Sequence, residues 1–342
     1  MKVIQLAAAM VIIRLVCDFL VVERVYATPV VLAVILCFFT VEIAGVLQRP
    51  KFKSVQIPHG LALTLAVGIL GSLCGVIGWI LNANIHAIIA VAPAYQQKLL
   101  AMLESLRTIS IFKNLPTDYR QLAASLDLKE LFKSLAELVK VFAENIIAIV
   151  LYSGFILSCC RPLVEDIKEM INEYVSEDMF EEINSKIRTY VVVKSLLNSL
   201  AALLAYGVMT AFGLNFAPLW ALLIFLLHFV PIIGGIVSFA LPLSIALVQF
   251  GWHQEFFVLL VALSTIMLVV GHVLEPRMMG ESLNLKPLII IVTLGISNQI
   301  WGMVGMLLCI PILVIFKIIL VEFPQARRLV NLISVKREVK KG

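Results

Sequence analysis

The sequence predicts an all-α polytopic membrane protein: about six full spans, two broken-helix (re-entrant) hairpins and an extramembrane pair of amphipathic helices. Three observations carry this. Of the 342 residues, 61% are hydrophobic and 14% charged, where a soluble domain is roughly half apolar and about a quarter charged. The apolar residues form long continuous runs, unlike the ten-residue alternation of a transmembrane barrel. In the second half those runs are broken by proline and glycine, with no charge at the breaks. A mean hydropathy of +1.02 excludes a soluble enzyme, a nucleic-acid-binding domain and a disordered chain, because no soluble fold hides this much apolar surface. The net charge of +5 fits basic cytoplasmic loops and implies no nucleic-acid partner.

The first apolar run, residues 3–22, carries Arg14 and Asp18 at a spacing that pairs them on one helix face. A signal peptide would not carry such charges in its apolar stretch. The second run is 28–47. The loop after it holds Arg49, Lys51 and Lys53 without an acid, which places it and the N-terminus in the cytoplasm. The third run, 57–81, has Gly68, Gly71, Gly75 and Gly78 on one face, the spacing of a groove for a neighbouring helix. These three spans are read as an N-terminal bundle, 1–81.

Residues 82–140 change character. Leu122, Leu126, Leu128, Leu131, Leu135 and Leu138 recur at helical spacing among mixed charges, and Pro116 divides the stretch. They read as a pair of extracytoplasmic amphipathic helices. A fourth span (141–160) leads to an acidic, solvated cytoplasmic helix, the two together forming 141–188. The six cysteines lie in or beside apolar runs without metal or disulfide spacing and read as small buried residues.

The core of the reading is 189–323. A fifth span covers 189–213. Residues 216–230 are too few to cross a hydrocarbon core of about 30 Å. Pro231, Ile232, Ile233, Gly234 and Gly235 then break the helix, and a second arm with Pro242 runs to 250. A span over 255–273 follows. The second hairpin has arms at 288–300 and 306–322, Trp301, Gly302 and Gly305 near its tip and Pro311 in the returning arm. Irregular backbone at membrane depth is tolerated only inside protein or beside a cavity. Inverted span-plus-hairpin repeats point to a transporter with its site near the midplane. The tail, 324–342, is basic and cytoplasmic. The expected location is the cytoplasmic (inner) membrane, with both termini inside.

The Pro231–Gly235 stretch with Pro242, the Glu275-Pro276-Arg277-Met278-Met279-Gly280 segment, the Leu285-Lys286-Pro287 turn, Trp301-Gly302-Met303-Val304-Gly305 and Pro311-Ile312-Leu313 resemble the autoinducer-2 exporter family. The match is good over 141–321; the first half matches in layout. The resemblance implies a multi-span exporter and a homo-oligomer. Within that family some members are assigned to export of a furanone signal and others to sodium/proton antiport.

Ionisable groups inside a bilayer are costly and read as functional candidates. Here they are Glu42, Glu144, Lys194, His228, Glu255, His272, Glu275, Arg277 and Glu281. The segment from Glu275 to Asn284 is the main candidate. Glu275 and Glu281 offer hard oxygens to a proton or sodium ion, and Arg277 can pair with either. Carbonyls freed around Gly234, Gly235 and Gly302, with Ser238, Ser297, Asn298 and Gln299, can coordinate an ion or hydrogen-bond a polar solute. Pro231, Gly234, Gly235, Pro242, Gly302, Gly305 and Pro311 are the expected hairpin hinges. His228 and His272 are a candidate proton relay. No cofactor or metal is expected, and no HExxH, GxSxG or P-loop motif occurs, so the chain reads as no enzyme. The function expected is secondary transport or export of a small polar solute or monovalent cation, coupled to protons or sodium. The alternatives are Na+(Li+)/H+ antiport as the main activity and a scaffold acting through 82–140.

Overall fold

The computed structural model describes residues 14–15, 18–48, 58–106, 145, 148–157, 177–279, 284–322 and 327–335, and these are helical with no strand among them. The elements are α1 (Arg24–Gln48), α2 (His59–Leu106), α3 (Ala148–Leu157), α4 (Glu177–Ala211), α5 (Ala217–Leu227), α6 (Ile233–Phe250) and α7 (Gln254–Met267). A π-helical stretch, Leu268–Leu274, leads into α8 (Glu275–Met279), followed by α9 (Pro287–Glu322) and α10 (Arg327–Ile333). Among the described residues, six stretches are long and apolar enough to cross a membrane: Arg24–Gln48, His59–Ile80, Met179–Ala211, Ile233–Phe250, Gln254–Met279 and Pro287–Val321. Arg14 and Asp18 make the expected ion pair at 2.9 Å, on the surface.

The chain divides into two compact units. The first takes residues 1–73, 145–192 and 279–342. Its α1 buries Pro29, Leu32, Ala33, Cys37, Thr40 and Ala44, a stripe at helical spacing. Leu32 and Ala33 pack with Ile149 of α3 and Val304 of α9. The Cys37 thiol reaches the Ser153 carbonyl at 3.4 Å. Ala44 packs on Ala62 and Ala66. Helices in lipid gain little from hydrophobic transfer, so such small contacts let backbones approach and van der Waals packing act. At the far end, Lys286 donates its backbone N–H to the Ile333 carbonyl and its ammonium to the Asn331 carbonyl, where the last carbonyls of α10 welcome a cation.

The second unit takes residues 74–144 and 193–278. Here α4 buries Leu197, Asn198, Ala201, Ala202, Ala205 and Met209. Helix α5 packs on α6, and α6 on α7. One end is closed by a polar network. Asn215 donates to the Tyr95 hydroxyl at 3.1 Å and receives from Trp220 through its carbonyl, while Gln249 bonds both Asn215 and Gly213.

Several expected boundaries move. The third run does not stop at residue 81: α2 continues through Pro93 to Leu106, because Ala, Ile and Leu give nothing to end the helix there. The acidic residues from Glu177 share one helix with the fifth span. Gly68, Gly71, Gly75 and Gly78 are exposed, with no described neighbour within 4 Å of a Cβ at any of them, so the expected groove holds no helix of the described chain. Residues 107–144, with Pro116 and the leucine repeat, lie outside the described residues, as do Glu144, Cys159, Cys160, Glu281 and the basic tail from 336.

Both breaks separate a shorter helical stretch from a longer one. Helix α5 has 11 residues and α6 has 18, about 17 and 27 Å of rise. In α9 the helical geometry fails at Trp301 and Gly302, leaving arms of roughly 21 and 30 Å. The first break lies three residues earlier than expected and the second is narrower. The first covers residues 228–232, and Gly234 and Gly235 already belong to α6. Gly305 likewise lies inside the returning arm of α9, and Pro242 and Pro311 sit within continuous helix. Of the expected hinge residues, Pro231 and Gly302 fall at the breaks.

Candidate functional site

The site is built from Pro276. A proline ring displaces the carbonyl four residues back and removes a donor. The helix ahead of it accommodates this by widening, and the Glu275 N–H bonds the Val270 carbonyl five residues back. Such π stretches are rare and recur at functional sites. The first side chain past it, Glu275, reaches Lys194 on α4: Nζ donates to Oε1 at 2.6 Å, with the side chains 7% and 25% exposed. Taking two ions out of water is expensive and is repaid only by close geometry. The first unit has its own pair, Arg188 to Glu42 at 2.8 Å, but the arginine is 43% exposed and the pair is correspondingly weak.

One turn beyond Lys194 on the same face is Asn198, fully buried. Its Nδ2 donates to the Phe225 carbonyl at 3.2 Å. Three residues on from Phe225, at the end of α5, His228 is buried. Its ring meets Phe239 edge-on at 5.8 Å and lies 3.4 Å from the Ser238 hydroxyl, which donates to the Gly235 carbonyl. Gly235 and Gly271 border the ring, their Cβ positions 3.6 and 3.8 Å from it.

The break itself is a γ-turn. Ile233 N–H bonds the Pro231 carbonyl at 2.6 Å around Ile232, whose φ is 61° and ψ −65°. Positive φ is strained for a β-branched residue. In α9 the equivalent turn is made by Gly302 at φ 59°, ψ −137°, which glycine adopts without strain. The returning arms pass close: a Cβ at Gly234 would overlap the Leu227 carbonyl, and one at Gly305 the Ser297 carbonyl.

Of the residues expected from the sequence, the structure brings Glu275, Ser238 and His228 into one unit. Arg277, two residues from Glu275, is exposed and points elsewhere on the helix; Lys194 takes the role expected of it. His272 is exposed, and its neighbour Gly271 faces the His228 ring instead, so the two histidines do not form the expected relay. Asn284, half-buried at φ 42°, and Asn298, exposed, belong to the first unit. The carbonyl expected to be free at Gly235 is taken by Ser238. Asn198 was missed. Its signal was available: an amide one turn from the lone lysine of an otherwise apolar run.

Apolar helices long enough to cross a membrane, two of them joined by a mostly enclosed ion pair, define a multi-pass helical membrane protein. The family model of the AI-2E family transporters matches residues 6–325. The chain belongs to that family and is a membrane transport protein. It is similar to the AI-2 transport protein TqsA of Escherichia coli (strain K12), 26% identical over 314 residues, which are 90% of each chain. YhhT of the same organism is 25% identical over 270 residues, 78% of this chain and 76% of its own. A protein of Borreliella burgdorferi is 28% identical over 182 residues, 52% of this chain and 50% of its own.

Proposed function

We propose that the chain is a secondary transporter that exports a small polar solute, an autoinducer-2-like signal, using a proton or sodium gradient. The observation that carries the coupling is the Lys194–Glu275 pair, 2.6 Å apart on two helices that qualify as spans. A carboxylate there is stable while the ammonium faces it. A proton, or a cation that displaces the lysine, breaks the pair and leaves one charge without compensation, so the bound ion biases one arrangement of the helices over another. The neighbouring break at 228–232 is where such a rearrangement is cheapest. The solute follows from TqsA, whose name gives it autoinducer-2 transport. The basic residues Arg49, Lys51 and Lys53 support an inner-membrane orientation with cytoplasmic termini, and the family resemblance supports a homo-oligomer.

The same carboxylate supports a second reading, Na+(Li+)/H+ antiport as the main activity, since hard oxygens exchange protons for small cations. Proteoliposomes containing a pH-sensitive dye separate the two. Autoinducer-2 efflux that depends on a pH gradient and is lost in Glu275→Gln supports export. A pH change triggered by sodium or lithium pulses, equally lost in the variant, supports antiport. Flux of neither kind sinks both.

A further inference from the structure

We infer that Asn198 is a solute-binding residue, its carboxamide oxygen accepting a hydrogen bond from a hydroxyl of an uncharged, hydroxyl-bearing solute. This rests on the transport reading above and names a contact the solute would make. The orientation of the amide is settled by its neighbour. The Phe225 carbonyl only accepts, so the atom 3.2 Å from it is the nitrogen. The oxygen therefore faces the other way, and it has no hydrogen-bond partner among the described residues although Asn198 is fully buried. Buried acceptors are nearly always satisfied, and one left over is costly enough to need an occupant.

The surroundings select the occupant. A cation is disfavoured, because the Lys194 ammonium sits one turn away on the same face and already holds Glu275. An anion gains nothing from an acceptor oxygen. An apolar solute would leave the oxygen unpaired. A hydroxyl satisfies it. His228, at the end of α5, and Ser238, in α6, belong to the same unit, and Gly235 and Gly271 border the imidazole.

The test is ligand-induced stabilisation of the purified full chain with three probes: autoinducer-2, D-ribose and xylitol. Wild type, Asn198→Leu and Asn198→Asp are compared. Leucine removes the acceptor and the donor; aspartate keeps an acceptor, loses the donor to Phe225 and adds a charge one turn from Lys194. The expected result is stabilisation of wild type by at least one probe. Its apparent affinity falls about tenfold in Asn198→Leu, as for the loss of one good hydrogen bond, and stays within about threefold in Asn198→Asp. Three results overturn the inference: equal affinity in wild type and Asn198→Leu, equal loss in both variants, or no stabilisation of wild type by any probe. Flux measured on the same wild-type preparation keeps the two readings apart. Transport that ignores Asn198 leaves the transporter standing without this site. Asn198-dependent binding without any flux leaves the site standing without the transporter.

Discussion

Each of the two units contains a broken helix and an inter-helix ion pair, and the two are built to different tolerances. In the first unit the break turns on Gly302, whose φ of 59° suits glycine, and the pair Arg188–Glu42 has an arginine in contact with solvent. In the second unit the break turns on Ile232 in a strained γ-turn, and the pair Lys194–Glu275 is mostly enclosed. Strain and enclosed charge both cost stability, and they persist only where the surroundings over-determine them. They coincide in the second unit, and the first shows neither. The common feature lies elsewhere: in both units the returning arm carries a glycine pressed against a carbonyl of the outgoing arm.

The sharpest way to break this comparison is to remove one partner from each pair. Lys194→Met should lower stability by about 3 kcal/mol, since it strands a carboxylate in a mostly closed site. Arg188→Met should cost at most about 1 kcal/mol. Denaturation of the purified chain in detergent reads both, and the double variant Lys194→Met/Glu275→Leu should recover most of the loss. Equal costs for the two single variants would erase the distinction between the units.

Next come the glycines the two units share. Gly234→Ala and Gly305→Ala should each cost about 1–3 kcal/mol, because the added methyl meets main-chain carbonyl. Thermal unfolding should place both well below Gly207→Ala, where nothing lies within 4 Å. A smaller effect of opposite sign tests the turns. Ile232→Gly should stabilise the chain by up to about 1 kcal/mol by releasing strain. Gly302→Ala should destabilise it by about 1–3 kcal/mol. Smallest of all, Gly75→Ala on the exposed glycine face should stay within about 0.5 kcal/mol. A large loss there, dependent on protein concentration, would instead reveal a partner copy on that face.

Much of this architecture was legible in the residues. Run length announced the spans, and proline with glycine announced both breaks, because these residues act on the backbone locally. The first break was read three residues late and the second too wide. Gly234 and Gly305 looked like parts of a loop but are helical, serving the close approach of two arms, a tertiary requirement that a local reading converts into a turn. Glu275 was found because a carboxylate in an apolar chain stands out. Arg277, nearer in sequence, was a candidate partner for it or for Glu281, and the partner is Lys194, 81 residues away. Pairing over that separation depends on which faces of two helices meet, and no spacing within either helix encodes it. The carboxamide of Asn198 escaped notice for a related reason. Its place one turn from Lys194 was visible in the sequence, whereas its burial and its unmatched oxygen are properties of the fold.

The π-helical stretch has a consequence of its own. One π turn is an α-helix with an extra residue, so everything after it is rotated by about 100° relative to an uninterrupted helix. Glu275 is the first residue past that stretch, and its aim at Lys194 is a matter of phase. Deleting a single residue from 268 to 271, with the helix closing to α geometry, would change no charge and remove no functional group. It would nonetheless swing the carboxylate more than a quarter turn away from α4. Chain length between Met267 and Pro276 is thus as much a determinant of the pair as the glutamate itself, and a variant can lose the pair while keeping every residue that makes it.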